Sequence, residues 1–155
     1  MKSIFKHCAL VAGVCWLLTG CGTAPTASSH KTESNVMSTP QPEAAALKSA
    51  EQWLTLVDAG NYAESWKTAA AYFQTAVSQD QWEHTIVAVR KPLGDLVSRR
   101  LKSAQYTKSL PGAPDGEYVV LRFDTSFANK KAAVETVTPM LDPDGQWKVS
   151  GYYIK

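Results

Sequence analysis

The spacing of apolar residues changes once along this chain, near Leu96, and this change limits the possible fold more than any other feature. From residue 43 up to Leu96 the apolar residues recur every three or four positions, which is typical of amphipathic helices. After Leu96 they tend to alternate, and β-branched and aromatic residues become frequent, which is typical of strands. Helices followed by a run of strands predict an α+β domain with an antiparallel sheet.

Three helices are predicted in the first half of this domain. The first covers residues 43–60, where a glycine ends the apolar pattern. The second begins with the capping-box-like pair Asn61 and Glu64 and continues to residue 77. The third begins at Ser78, which has a glutamine three positions later, and is stopped by a proline and a glycine.

Four strands are predicted in the second half. They cover residues 96–110, 117–127, 132–141 and 146–155. The stretch DPDG at residues 142–145 is a strong hairpin turn between the last two. Pro139 lacks an N–H group, so its strand is expected at a sheet edge or bulged at that residue. The pattern predicts an antiparallel meander with the helices on one face, and this layout resembles the cone-shaped folds of nuclear transport factor 2 and the cystatins.

The first twenty residues have the composition of a secretory signal. Lys2 and Lys6 precede the uncharged run CALVAGVCWLL, which at about 1.5 Å per residue is too short to span the ~30 Å hydrocarbon core of a membrane. The next residues, LTGC at 18–21, resemble the bacterial lipobox. That resemblance implies cleavage before Cys21, a diacylglycerol group on its thiol and acylation of its freed amine. An ordinary cleaved signal with a chance cysteine and an uncleaved short anchor are the alternatives.

A lipidated Cys21 would divide the chain into three parts. Residues 1–20 would be the removed signal, residues 21–42 a disordered tether rich in Ser, Thr and Pro, and residues 43–155 a single domain. Several acyl chains hold a protein on its membrane more firmly than one does. Gly22 implies the periplasmic face of the outer membrane, since lipoproteins retained in the inner membrane of a two-membrane bacterium typically have Asp after the lipidated cysteine. We therefore expect attachment to a membrane through the N-terminal lipid.

Removal of residues 1–20 would also change the chemistry available to the chain. Cys8 and Cys15 would be lost and Cys21 lipidated, which leaves no thiol for a disulfide within the chain, for nucleophilic chemistry or for zinc. Two of the sixteen basic residues would be lost as well, so the remainder would equal the fourteen acidic residues. That balance argues against a nucleic-acid partner. The sequence has no Gly-rich phosphate loop and no paired metal-ligand motif, so we expect no cofactor and no metal.

Asp80 and His84 are four residues apart on the third predicted helix, so they share one face. They could act as an orienting acid and a general base. The simpler interpretation is an exposed pair of helix residues, because the apolar residues of this helix lie largely on a different face.

One stretch of the domain is strongly basic. It holds five candidates for binding an anionic partner, which are Arg90, Lys91, Arg99, Arg100 and Lys102. Guanidinium groups pair in fork geometry with carboxylates and phosphates. The alternative is a solvated strand and loop whose charges simply point outward.

Arg122, Asp124 and Glu135 lie on neighbouring predicted strands. A cone-shaped sheet leaves a pocket between sheet and helices, so any of the three that points inward could select a ligand or serve as an acid or base. A shift of one residue in strand register turns each side chain to the other face, so the sequence does not decide their direction.

Four stretches carry a resemblance that runs along most of residues 44–155: EQWLTLVDAGNYAESW, QWEHTIVAVRKPLGDLVSRRLKS, LPGAPDGEYVVLRFDTSFANKKAAVETVT and WKVSGYYIK. They resemble a bacterial family of unknown function, the domain of unknown function family four-zero-one-nine. The resemblance implies a single secreted domain and brings no catalytic residues. We expect a non-catalytic binding or accessory module of the cell envelope that binds an envelope protein or a small ligand. The alternative is an isomerase or hydrolase of the nuclear-transport-factor-2-like group, with a pocket acid or base.

Overall fold

A computed structural model describes residues 41–155 of the chain. The helices are α1 (Gln41–Asp58), α2 (Tyr62–Lys67), α3 (Ala71–Ala76) and α4 (Gln79–Arg90), and a 3₁₀ turn follows at Lys91–Leu93. The strands are β1 (Leu96–Thr107), β2 (Tyr118–Phe127), β3 (Ala133–Leu141) and β4 (Trp147–Ile154). The predicted signal, Cys21 and nearly all of the predicted tether lie outside the described residues.

The four strands form one antiparallel sheet in the order β1-β2-β3-β4. Both inner strands alternate between buried and partly exposed residues, as expected of a sheet with one covered face. The predicted α+β class with a four-stranded antiparallel sheet is confirmed, and the described residues hold four helices where three were predicted.

Helix α1 covers the buried face of the sheet and touches all four strands. Its buried residues recur at helical spacing and include Ala46, Ala50 and Leu54. They pack against the inward side chains of the strands, such as Leu121 and Val137. Burial of these apolar side chains stabilises the domain, by about 25 cal/mol for each Å² removed from water.

The second predicted helix is wrong in one respect, since it is two short helices. Between α2 and α3 the backbone is extended at Ala70, whose N–H donates to the carbonyl of Val149 on β4. The side-chain amide of Gln74 donates to the carbonyls of Trp66, Lys67 and Ala69 at 2.9 to 3.1 Å, so the break leaves these acceptors with partners. Contacts with the sheet and with Gln74 thus replace one turn of helix.

Two local predictions can be compared at the helix starts. The capping box at Ser78 is present, because the Ser78 side chain accepts from the Gln81 N–H and the Gln81 side chain accepts from the Ser78 N–H. The capping box expected at Asn61 is wrong, since within the described residues the Asn61 side chain makes no capping hydrogen bond to α2.

Pro139 lies in β3, which is a central strand, so the edge position is wrong and the bulge is confirmed. The register of β3 against β4 shifts between Thr138 and Pro139, where Gly151 and Val149 are the successive partners. The shift leaves Ser150 between two paired residues of β4, and its hydroxyl donates to the carbonyl of Thr138. Among residues 41–155, no helix has both the length and the apolar character needed to cross a membrane.

Candidate functional site

Five polar side chains meet between the helices and the inner face of the sheet. They are Asp58 at the end of α1, Arg90 at the end of α4, Arg99 on β1, Glu135 on β3 and Tyr152 on β4. We call this group the arginine-carboxylate cluster. Each member comes from a different element, so the cluster connects both layers of the domain.

Glu135 is the innermost member, and its side chain has no exposure to solvent. One carboxylate oxygen accepts from Arg99 Nε at 2.6 Å and from the Thr125 hydroxyl at 2.7 Å. The other accepts from Arg99 at 3.1 Å, from Arg90 at 3.4 Å and from the Tyr152 hydroxyl. Five donors therefore surround this carboxylate, which offsets the cost of burying its charge.

Asp58 is the outermost carboxylate of the cluster, and its side chain is 21% exposed. Its Oδ1 accepts from Arg90 at 2.7 Å and from Arg99 at 3.0 Å, while its Oδ2 accepts from Arg99 at 2.7 Å. Two nitrogens of Arg99 thus donate to the two oxygens of Asp58, a bidentate pair in fork geometry. Arg90 is only 7% exposed, and its guanidinium lies 4.7 Å from the centre of the Phe127 ring.

The environment shifts the pKa of two members. Burial alone would lower the pKa of Arg99, but hydrogen bonds to Asp58 and Glu135 outweigh burial and raise that pKa above its ordinary value. Burial raises the pKa of Tyr152 well above its ordinary value, and the neighbouring Glu135 carboxylate raises it further. Both shifts favour the protonated side chains that donate to the carboxylates.

Strand register explains how the cluster forms. Arg99 lies opposite Thr125 on β2, and Thr125 donates to Glu135 on β3, so one inward row crosses three strands. The register of β1 shifts on both sides of this row, at Val97 and at Lys102. These two bulges decide which of the adjacent residues Arg99 and Arg100 turns inward.

The candidate acids and bases are separated by the fold. Glu135 points inward and joins the cluster, whereas Asp124 and Arg122 lie on the opposite face of the sheet. Asp80 and His84 are both exposed on α4, and among the described residues neither pairs with a member of the cluster. The structure therefore brings Glu135 together with arginines and not with His84.

The five basic residues suggested for an anionic partner do not form one surface. Arg90 and Arg99 are turned inward and occupied by Glu135 and Asp58. Arg100 and Lys102 lie on the other face, at 3.7 and 2.9 Å from Asp124, and Lys91 is exposed on the 3₁₀ turn. Neighbouring residues of a strand point to opposite faces, so the stretch of sequence is divided between them.

A groove of about 600 Å³ crosses the face of the sheet that lies away from the helices. We call it the open-face groove, and its lining includes Arg100, Asp124, Ser126, Lys131, Val134 and Lys155. The three cations come from β1, from the loop before β3 and from the end of the chain, so the tertiary fold assembles them. Arg122 is also exposed on this face, where its strand position is opposite Ser103.

Sequence reasoning missed Asp58 and Tyr152 as members of the cluster, and Thr125 as a donor to Glu135. One signal was available for Asp58, because a carboxylate in the last turn of a helix is unfavourable beside the helix dipole and suggests a cationic partner. Glu135 had a signal too, since it occupies an inward position between Ala133 and Val137 in a strand that is otherwise apolar on that side. Nothing comparable marks Thr125 or Tyr152.

The fold and these two regions define a small α+β domain with a polar cluster in its core and a basic groove on its sheet. The chain belongs to the family described as "Protein of unknown function (DUF4019)", whose model matches residues 49–152. That range includes every member of the arginine-carboxylate cluster and ends before Lys155. Comparison with curated protein sequences gives no match.

Proposed function

We propose that this chain is a lipid-anchored envelope protein, and that its domain binds an acidic segment of a partner protein in the open-face groove. Cys21 would carry the lipid and hold the protein at the periplasmic face of the outer membrane. The support for this anchor is the sequence around Cys21, with its small preceding residues and the Gly22 that follows. The cone-shaped fold of nuclear transport factor 2 and the cystatins is part of the proposal, supported by the order of elements and by α1 lying across the sheet.

The observation that carries the binding proposal is the charge of the open face. Five cations lie on this face or at its rim, which are Arg100, Lys102, Arg122, Lys131 and Lys155. Asp124 is the carboxylate among them, and its side chain is already shared by Arg100 and Lys102. The arrangement favours an anionic ligand that reaches several cations at once.

The charge of the domain is divided between its two halves, which strengthens this argument. Residues 41–89 hold two basic and six acidic residues, whereas residues 90–155 hold eleven basic and seven acidic residues. The basic excess is therefore local to the half that contains the sheet. A partner with carboxylates would be attracted to the open face and repelled from the helices.

The shape of the site favours a protein segment over a membrane surface. Arg100, Lys131 and Lys155 line a shallow groove of about 600 Å³, which can hold a chain segment with side-chain carboxylates. Lipid head groups lie in a plane and would meet the rim of the groove first. Arginine also pairs with carboxylates in two-pronged geometry, which Arg100 is exposed enough to provide.

The inward carboxylate, Glu135, gives little support to the alternative that this protein is an enzyme. A general base needs a lone pair that faces the substrate. Glu135 uses its two oxygens for five hydrogen bonds within the protein and is shielded from solvent. We therefore assign Glu135 a role in holding the two layers together.

The test is crosslinking in intact cells with the full chain and a matched pair of charge reversals. We expect Arg100→Glu combined with Lys131→Glu to remove crosslinks to a partner, because the groove then repels carboxylates. The control is Lys48→Glu with Lys67→Glu, which makes the same change in net charge on exposed helix positions. A synthetic peptide of the crosslinked partner segment should bind the purified chain, and replacing its Asp and Glu with Asn and Gln should weaken binding at least tenfold.

The proposal is wrong if both double variants recover the same crosslinked partners as the unsubstituted chain. It also fails if the crosslinked segments carry no acidic residues. If the open-face variant keeps its protein partners but loses binding to vesicles of anionic lipid, the occupant of the groove is a membrane surface.

A further inference from the structure

A second cleft, of about 330 Å³, leads from the surface to the arginine-carboxylate cluster. It opens between the end of α1, the start of α2, the end of α4 and the start of β1. Its lining includes Val57, Asp58, Tyr62, Val87, Arg90 and Leu96. The lining also includes Lys91, Gly94 and Asp95, so apolar side chains and charged groups share the cleft, and Asp58 and Arg90 lie at the side of the cluster.

The charges of the cluster balance only because Asp58 is present. Arg90 and Arg99 bring two positive charges, and the inaccessible Glu135 neutralises one of them. Asp58 neutralises the other from a position that solvent reaches. The Asp58 carboxylate is therefore the anion that completes the charge balance of the cluster.

Asp58 is the one carboxylate of the cluster that solvent reaches, and it lies at a helix end. It is the last residue of α1, where the helix dipole disfavours a negative charge. Ala59 and Gly60 follow, and Gly60 has φ of 75°, a conformation that ends the helix. The Asp58 side chain is held by the two guanidinium groups, and the same fork geometry would hold a carboxylate from another molecule.

We propose that the arginine-carboxylate cluster is a binding site for a small monocarboxylate with an apolar body, and that Asp58 occupies this site until the ligand displaces it. The ligand carboxylate would contact Arg90 and Arg99. Its apolar body would lie in the cleft against Val57, Val87 and Leu96, with the Tyr62 ring at one wall. The site is separate from the open-face groove, so this inference does not depend on the proposed function.

Displacement makes the affinity depend on Asp58 in a definite way. A ligand that must compete with a tethered carboxylate binds only the fraction of molecules in which Asp58 has left the arginines. Removal of that carboxylate should therefore tighten ligand binding by roughly tenfold or more. This gain in affinity should require a negative charge on the ligand. Without Asp58 the two arginines lack a counter-ion, and only an anionic ligand replaces it.

The test uses benzoate as the probe and the full chain purified in detergent, with benzamide as the uncharged probe of the same shape. Titration calorimetry should show benzoate binding to Asp58→Ala at least tenfold more tightly than to the unsubstituted chain. Benzamide should bind Asp58→Ala no more tightly than it binds the unsubstituted chain. The matched control is Asp144→Ala, which removes an exposed carboxylate paired with Lys148, away from both the cleft and the open-face groove, and should leave benzoate binding unchanged.

Equal benzoate affinity in Asp58→Ala and in the unsubstituted chain would overturn the inference, as would equal gains for benzoate and benzamide. If Asp58→Ala does not fold alone, it is refolded in the presence of either probe. Recovery with benzoate and not with benzamide supports the site, because the ligand then supplies the missing anion. Failure to recover with benzoate contradicts it.

Discussion

Tyr152 is the residue whose protonation the fold controls most directly. Its hydroxyl donates to Glu135 and accepts a hydrogen bond from Arg90 at 3.3 Å. Loss of the phenol proton would add a third anion to the two carboxylates of the cluster. It would also remove a hydrogen-bond donor from the buried Glu135 carboxylate. Burial, followed by the charge of Glu135, raises the pKa of Tyr152 above the value of 10.0 of a free tyrosine. The neutral phenol therefore contributes stability that depends on pH.

We predict that the stabilising effect of the Tyr152 hydroxyl is lost in alkali. The folded pKa is raised, so the effect is complete below pH 10.0 and declines as the pH rises above it, where the unfolded chain loses the proton first. The difference in free energy of unfolding between the unsubstituted chain and Tyr152→Phe should fall above that pH, by at most about 1.4 kcal/mol per pH unit. Urea unfolding from about pH 8 to about pH 11 measures it, since tyrosines elsewhere cancel in the difference.

The control for this prediction is Tyr153→Phe, which makes the same chemical change at the exposed neighbouring residue. For Tyr153→Phe, the free energy of unfolding plotted against pH should stay parallel to that of the unsubstituted chain. If Tyr152→Phe also stays parallel to it throughout, the Tyr152 hydroxyl is not coupled to Glu135 in the way we describe.

At the scale of elements, side-chain hydrogen bonds to the backbone hold the join between α2 and α3. Helix α2 has only six residues, which is too short to be stable alone. Gln74 of α3 reaches back and donates to three carbonyls at the end of α2, and Trp66 donates from its ring nitrogen to the carbonyl of Val77 at 2.7 Å. The two short helices therefore hold each other through side-chain bonds to backbone acceptors.

We predict that Gln74→Ala lowers the free energy of unfolding by about 1 to 3 kcal/mol, because partly buried carbonyls lose their donor. Gln74→Glu should cost at least as much, since it keeps the shape of the side chain but places a carboxylate against those oxygens. The matched control is Thr75→Ala, at the next position of α3, which is exposed and should change stability by less than about 0.5 kcal/mol. Chemical denaturation measures all three, and equal values for Gln74→Ala and Thr75→Ala would contradict the assigned role.

For the whole molecule, the sequence predicts the order and kind of elements well because those depend on local spacing. Alternation, which is imperfect in β1, and the frequency of β-branched and aromatic residues predicted all four strands, and the DPDG stretch correctly marked the last hairpin. The break after α2 was not predictable in this way, since it depends on contacts with Val149 on β4. Local patterns carry no information about such distant partners.

The candidate sites also depend partly on local sequence patterns and partly on contacts between residues that are distant in the sequence. Arg99 and Arg100 were predicted as members of one basic stretch, but they are adjacent in a strand, which turns them to opposite faces. Which one turns inward is set by the bulges at Val97 and Lys102, and these appear only when β1 is paired with β2. The inward position of Glu135 was open to prediction, but its partners come from four other elements and were not.

The final prediction concerns how the chain is held at the membrane, for which Cys21 is the proposed anchor. Cys21→Ala should abolish metabolic labelling with a radioactive fatty acid, because the chain then lacks the thiol at residue 21 that would carry the diacylglycerol group. The same variant should move from the membrane pellet to the soluble envelope fraction, since one hydrophobic run of eleven residues is too short to span the membrane.

Cys15→Ala is the matched control, as it removes a cysteine from the predicted signal and should leave both labelling and fractionation unchanged. Gly22→Asp should keep the label and shift the protein from outer-membrane to inner-membrane density fractions. Unchanged fractionation of Cys21→Ala would contradict the anchor, and equal loss of label in Cys15→Ala would show that the lipid is attached elsewhere.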